Sequence, residues 1–210
     1  MPYSLYPIPL TVAHAAASPA RGEATRKSNI LKDHGYIIQS GGIIAYPTEA
    51  VYGLGGDPFN FQTVQRIQQL KGRSPNQRFI LIASDWEQIE PLIGALDESL
   101  LKPVRTSWPG PVTWVFPAAS SIPSWLVSPQ NTIALRITNH PIARNLCETA
   151  QTPILSTSAN ISGQPPCRSY EETLKIFAGK VDRVIEGPTG GHLKPTPIYD
   201  VLTGKCLREG

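Results

Sequence analysis

The segment Tyr46-Pro-Thr-Glu-Ala-Val-Tyr-Gly-Leu-Gly-Gly56 places a hydroxyl, a carboxylate and three glycines directly after a short apolar run. If a helical turn starts at Thr48 and Glu49, its hydroxyl and free N–H groups suit an anion or a carboxylate. The alternative is purely structural: Gly53, Gly55 and Gly56 permit a tight turn with positive φ. The spacing matches neither the dinucleotide fingerprint nor the Walker loop. A second stretch, Lys71-Gly-Arg73-Ser-Pro-Asn-Gln-Arg78, carries three cations on a loop between a helix end and a strand start. Such donors suit a polyphosphate, because Arg binds bidentately and Lys acts as a point charge. Lys71 and Arg73 also complement a helix C-terminus without any ligand. The third stretch, Ser156-Thr-Ser-Ala-Asn160-Ile-Ser162-Gly163, holds five small polar side chains in seven residues after an apolar strand. The C-terminal end of a strand is where α/β proteins bind ligands, although Ser, Thr and Asn also build ordinary turns. Arg136 interrupts the apolar run Thr132–Ile137, so it needs an internal carboxylate or a bound anion as partner.

Equally informative is what the sequence lacks: it has no GxSxG, no HExxH and no close Cys–His or Asp–His spacing. His34, His140 and His192 are isolated and read as structural or solvent-facing residues, and His14 lies near the N-terminus. The inventory points to catalysis by positioning and electrostatics, without a covalent protein nucleophile.

The elements that must hold these residues alternate irregularly. The patterning predicts helices over 29–40, 60–71 and 139–150, the second capped by Asn60 and the third by Asn139 with Pro141 in its first turn. Ser169-Tyr-Glu-Glu172 is a capping box for a helix ending near Gly179. Asp85 is expected to cap a short helix carrying Trp86 and Ile89. Strands are expected at 42–46, 79–83, 112–116, 132–137, 153–156, 181–185, 198–202 and 205–208, the last two as a hairpin around Thr203-Gly204. This order predicts a single α/β domain with a twisted, mixed parallel and antiparallel sheet flanked by helices. Residues 1–28, rich in Pro, Ala and Ser, read as a mobile N-terminal extension, leaving 29–210 as the catalytic domain.

A chain of 210 residues, 40% hydrophobic and 17% charged, is ordinary for a globular protein. No run reaches the roughly 18 apolar residues of a membrane span. Cys147, Cys167 and Cys206 are odd in number and lack metal-ligand spacing; this fits a reducing cytoplasm, with Cys147 and Cys206 read as packing residues. The net charge of +3 rests largely on Arg21, Arg26 and Lys27, so the rest of the chain is close to balance. Its distribution says more. No acid falls between Asp57 and Asp85, where Arg66, Lys71, Arg73 and Arg78 occur, or between Glu98 and Glu148, where Lys102, Arg105, Arg136 and Arg144 occur. Two such tracts converge on one anionic ligand, or else form solvated faces.

Taken together, the ordered segments resemble the YrdC-like family, and within it the short single-domain threonylcarbamoyl-AMP synthases. The segments are Tyr46–Gly55, Lys71-x-Arg73, Trp108-Pro-Gly-Pro-Val-Thr113, Ala134-Leu-Arg136, Ser156–Asn160 and Pro195-Thr-Pro-Ile-Tyr-Asp200 with the closing Leu-Arg208-Glu-Gly. The resemblance implies a YrdC-like fold and formation of threonylcarbamoyl-AMP and pyrophosphate from L-threonine, bicarbonate and ATP. It implies that Lys71 and Arg73 serve catalysis, and that Lys71, Arg73, Thr132, Ser158, Asn160 and Arg208 contact ATP. Thr48, Arg136, Ser156 and Thr196 would line the threonine pocket. Magnesium would enter with the ATP phosphates, with no protein ligand of its own, since it prefers hard oxygen donors. A separate transferase would then carry the product to the adenine beside the anticodon of tRNA. Two rival readings use the same fold: a weakly RNA-binding module and a noncatalytic assembly partner.

Overall fold

The computed structural model describes residues 33–72 and 79–210. The N-terminal segment 1–28 and Arg73 lie outside the described residues. The chain order is α1 (33–39), β1 (Ile44–Pro47), β2 (Tyr52–Gly55), α2 (Phe61–Lys71), β3 (Ile80–Ala83), α3 (Leu101–Ser107), β4 (Thr113–Pro117), β5 (Thr132–Ile137), α4 (Pro141–Ala150), β6 (Ile154–Ser158), α5 (Tyr170–Phe177), β7 (Arg183–Val184), β8 (Ile198–Asp200) and β9 (Cys206–Arg208). Among the described residues the strands form one sheet in the order β7-β1-β2-β6-β3-β5-β4-β8-β9. The pairs β1/β7, β3/β5 and β4/β8 are parallel and the others antiparallel. The expected mixed α/β sheet is what forms.

Period-two alternation divides the sheet into two unlike faces. Leu81, Ile133, Leu135, Leu155, Trp114 and Phe116 point to one side, into a core shared with Val64 and Ile67 of α2 and Val104 of α3. On the other side Ile44, Tyr46, Ile82 and Ile154 are covered by Ala143, Leu146, Cys147 and Ala150 of α4. Those four helical positions follow the three- and four-residue spacing of a single apolar stripe. Burying Leu146 alone stabilises the fold by about 1.5–3 kcal/mol. The stripe covers only part of that face. Ile80, Val115, Ala134, Arg136, Ser156, Ser158 and Ile198, which continue it beyond α4, border a cavity instead. The length of α4 thus decides where the sheet stays open.

Several local expectations are corrected. No helical turn starts at Thr48. The segment closes a β1–β2 hairpin, in which Thr48 N donates to Val51 O at 3.0 Å and Thr48 Oγ1 donates to the same oxygen at 2.7 Å. Gly53, Gly55 and Gly56 do not have positive φ. Gly55 is required by close approach: a Cβ there would sit 2.5 Å from Leu155 O and 2.8 Å from the Tyr46 ring. Asp85 accepts from Gln88 N at 3.0 Å but caps bends that lead into the short 3-10 turn Glu90–Leu92, not an α-helix. The cap residue of α4 is His140, followed by Pro141 at the first helical position, while Asn139 is exposed. Helix α3 had no signal in the periodicity. The caps Asn60 and Ser169 do accept backbone N–H groups as expected.

Candidate active site

The uncovered half of the sheet forms the floor of a cavity of about 640 Å³. The β1–β2 hairpin (Thr48 to Gly53), the loop after β6 (Asn160 to Gly163) and the C-terminal β8–β9 segment build its walls. Lys71, Ser158, Asn160, Arg208, Thr48, Arg136, Ser156 and Thr196, drawn from distant parts of the sequence, all border it. Thr132 does not. It shares the face of Ala134 and Arg136 by alternation, but its hydroxyl lies 2.7 Å from Ser128 Oγ. Among the described residues the wall contains three cations, Lys71, Arg136 and Arg208, and no carboxylate. That electrostatic character selects an anionic ligand.

Lys71 is the last residue of α2, where Gly72 stops the helix in the left-handed region at φ 59°. Only 4% of it is exposed. Its ammonium donates to Ser158 O, to Asn160 O at 3.0 Å and to Asn160 Oδ1 at 2.9 Å. Its carbonyl accepts from Ser162 N at 2.8 Å. Ser158 Oγ donates to the same Asn160 Oδ1 at 2.6 Å. An ammonium has three donors, so Lys71 both clamps the 158–162 loop and places a positive charge in the wall.

Arg136 is 5% exposed. Its Nη1 donates to Thr196 Oγ1 at 2.9 Å, and its Nη2 lies 3.4 Å from Glu49 Oε2. The partner that an Arg in this strand requires is therefore an internal carboxylate, while the side chain also faces the cavity. Glu49 is itself held by Thr138, whose hydroxyl donates to Oε1 at 2.6 Å and accepts from His140 N at 3.2 Å. Arg208 donates to Thr196 O at 2.6 Å, and burial and the nearby Arg136 lower its pKa. Thr196 thus contacts two cations, one through its hydroxyl and one through its carbonyl. The part played by Glu49 and Thr138 was not read from the sequence; the one signal was the charge of Arg136 itself.

Among the described residues the two acid-free tracts converge through Lys71 and Arg136, while Arg73 and Arg78 lie outside the described residues. Arg66 pairs instead with Asp182 at 3.2 Å, Arg105 with Glu98 at 2.6 Å and Arg144 with Glu148 at 2.9 Å, all on the surface. Cys147, Cys167 and Cys206 are free thiols, the first two buried. Among the described residues no group of three or more His, Cys, Asp and Glu could hold a metal ion.

Burial lowers the pKa of His140, beside Glu49 and Thr138, and that of His34, where the charge of Arg183 adds to the effect. The folded chain then binds fewer protons than the unfolded one as pH falls through the ordinary histidine range, so their contribution is present above about pH 6.5 and is lost below it. The urea midpoint should fall steadily between pH 7.5 and 5.5, and His140→Gln should flatten that slope. A midpoint independent of pH across this interval would contradict the assignment.

The family model for Sua5, YciO and YrdC proteins, described as telomere recombination, matches residues 36–210. A threonylcarbamoyl-AMP synthase of Coxiella burnetii (strain RSA 493 / Nine Mile phase I) is 48% identical over 171 residues, 81% of this chain and 92% of that protein. One from Nitrosococcus oceani is 44% identical over 82% of this chain and 93% of its own length. Among solved structures, P. abyssi Sua5 complexed with L-threonine superposes with a TM-score of 0.76 at 32% identity, covering 81% of this chain. The chain spans about half of that longer protein, 50% of its length. E. coli YciO superposes with a TM-score of 0.77 at 27% identity, covering 87% of this chain and 89% of its own. The cavity, the sheet that floors it and the ordered segments that wall it all fall within the matched residues, and the chain belongs to the Sua5/YciO/YrdC family.

Proposed function

We propose that the chain is a threonylcarbamoyl-AMP synthase, joining L-threonine, bicarbonate and ATP. The observation that carries this reading is the cavity with Lys71, Arg136 and Arg208 in its wall and hydroxyls between them. It has room for a nucleotide beside a small amino acid, and it presents cations to both. Arg136, with Thr48, Ser156 and Thr196 around it, takes the threonine carboxylate. Lys71, Ser158, Asn160 and Arg208 take the nucleotide, together with Arg73 and Thr132, which lie outside the described residues and outside the wall respectively.

The amine of threonine and bicarbonate give a carbamate and water. A carbamate oxygen attacks the α-phosphorus of ATP, and the bond to pyrophosphate breaks. The attacking group is already an anion, so no protein nucleophile is needed. Thr48 Oγ1 is committed to Val51 O and Ser158 Oγ to Asn160 Oδ1, which suits hydroxyls that shape a wall. Lys71 stabilises charge that develops on the phosphates. The oxygen donors of the wall are neutral, so magnesium would be held through the ATP phosphates and water, where it supplies charge neutralisation.

The product, a reactive mixed anhydride, passes to a separate transferase acting on tRNA. Among the described residues no helix is long and apolar enough to cross a membrane. The compartment proposed for this reaction is the cytoplasm. The test is pyrophosphate release by the purified chain. Release is expected only when ATP, magnesium, threonine and bicarbonate are all present. A clean preparation that binds ATP without release would leave a scaffold; tight RNA binding with a steep salt dependence would point to an RNA-binding module.

A further inference from the structure

Glu49 has no place in the cavity wall, yet it occupies one of the costliest positions in the molecule: a carboxylate 3% exposed beside a buried guanidinium. We propose that Glu49 is a positioning residue for threonine, orienting the Arg136 guanidinium that receives the substrate carboxylate. This rests on the reading of Arg136 given above.

The geometry argues for orientation in preference to simple charge pairing. An ion pair built only for stability approaches as a bidentate, hydrogen-bonded fork. Here the contact between Arg136 Nη2 and Glu49 Oε2 is 3.4 Å, and neither Glu49 Oε2 nor Arg136 Nε finds a hydrogen-bond partner among the described residues. Glu49 is instead anchored on its other oxygen, by Thr138 Oγ1 at 2.6 Å, and its own carbonyl accepts from His192 N at 3.0 Å. The carboxylate is fixed by the fold, and the guanidinium lies loosely against it. On its far side, Arg136 Nη1 reaches Thr196 Oγ1 at 2.9 Å. Two fixed groups, one at the hairpin and one before β8, thus hold the guanidinium between them without consuming all its donors. A carboxylate ligand needs that fork aligned within about 10–20°.

Glu49→Gln tests this, because its two consequences have opposite signs. Losing a negative charge near the site would tighten binding of a carboxylate. Losing orientation would weaken it, since the new amide presents N–H donors to Nη2. The proposal predicts that calorimetry finds threonine bound at least tenfold more weakly by Glu49→Gln, with the ATP dissociation constant within about twofold of wild type. Threoninamide, which has no carboxylate, should compete equally well in both proteins. Thr138→Val, which keeps shape and charge but frees Glu49, should weaken threonine in the same selective way and serves if Glu49→Gln does not fold. Unchanged or tighter threonine binding in a folded variant overturns the proposal, and equal losses for threonine, threoninamide and ATP reduce Glu49 to a structural residue. The reading of Arg136 fails separately, if Arg136→Ala binds threonine as wild type does.

Discussion

Replacing Lys71 with Met should lower kcat/KM for ATP on the order of 10²–10³-fold, the cost of removing one preorganised charge from a reacting phosphate. The thioether fills the aliphatic path of the side chain, so the loss falls on the ammonium. Two effects add. The charge disappears from the wall, and the oxygens of Ser158 and Asn160 lose their shared donor, which frees the 158–162 loop. Lys71→Arg should not restore activity, because a planar guanidinium cannot enter a site made for three converging acceptors. Initial rates of pyrophosphate release at varied ATP decide the matter. Activity within about threefold of wild type in the Met variant would remove Lys71 from the reaction.

Arg136→Ala is expected to act twice. Loss of the charge-assisted contact to a carboxylate should weaken threonine binding by roughly one to three orders of magnitude, about 2–4 kcal/mol. It also strands Glu49, whose side chain is 4% exposed, and breaking a buried pair from one side costs about 3–5 kcal/mol of stability. The two effects can be separated. Combining Arg136→Met with Glu49→Gln removes both charges, so urea denaturation should recover most of the lost stability while calorimetry still finds threonine weakly bound. If the single variant stays folded and binds threonine normally, Arg136 has only a structural role.

These expectations also show how far the sequence could be read. The mixed sheet was legible because the strands are short apolar runs and the helix caps are strong; Asn60 and Ser169 behave as their chemistry demands. The convergence of Lys71, Arg136, Ser156 and Asn160 on one cavity was legible through the family resemblance, with two local signals: small polar residues after an apolar strand and a charge within another. Strand β2 was missed because Gly53 and Gly55 resemble a turn, and the true cause of Gly55, Leu155 O pressing on its backbone, is a contact between strands far apart in the chain. Glu49 was missed for a related reason. Nothing local to it announces that the hairpin carries it beneath Arg136, 87 residues further along. Helix α3 carries no pattern of its own and takes its shape from packing Leu101 and Val104 into the large core.

The most direct measurement of the central claim is identification of the product. The purified chain, incubated with ATP, magnesium, L-threonine and ¹³C-bicarbonate, should yield an adenylate whose mass contains threonine, AMP and one labelled carbonyl, as read by mass spectrometry. An adenylate without the label, or no adenylate from a folded protein that binds both ATP and threonine, would contradict threonylcarbamoyl-AMP synthesis.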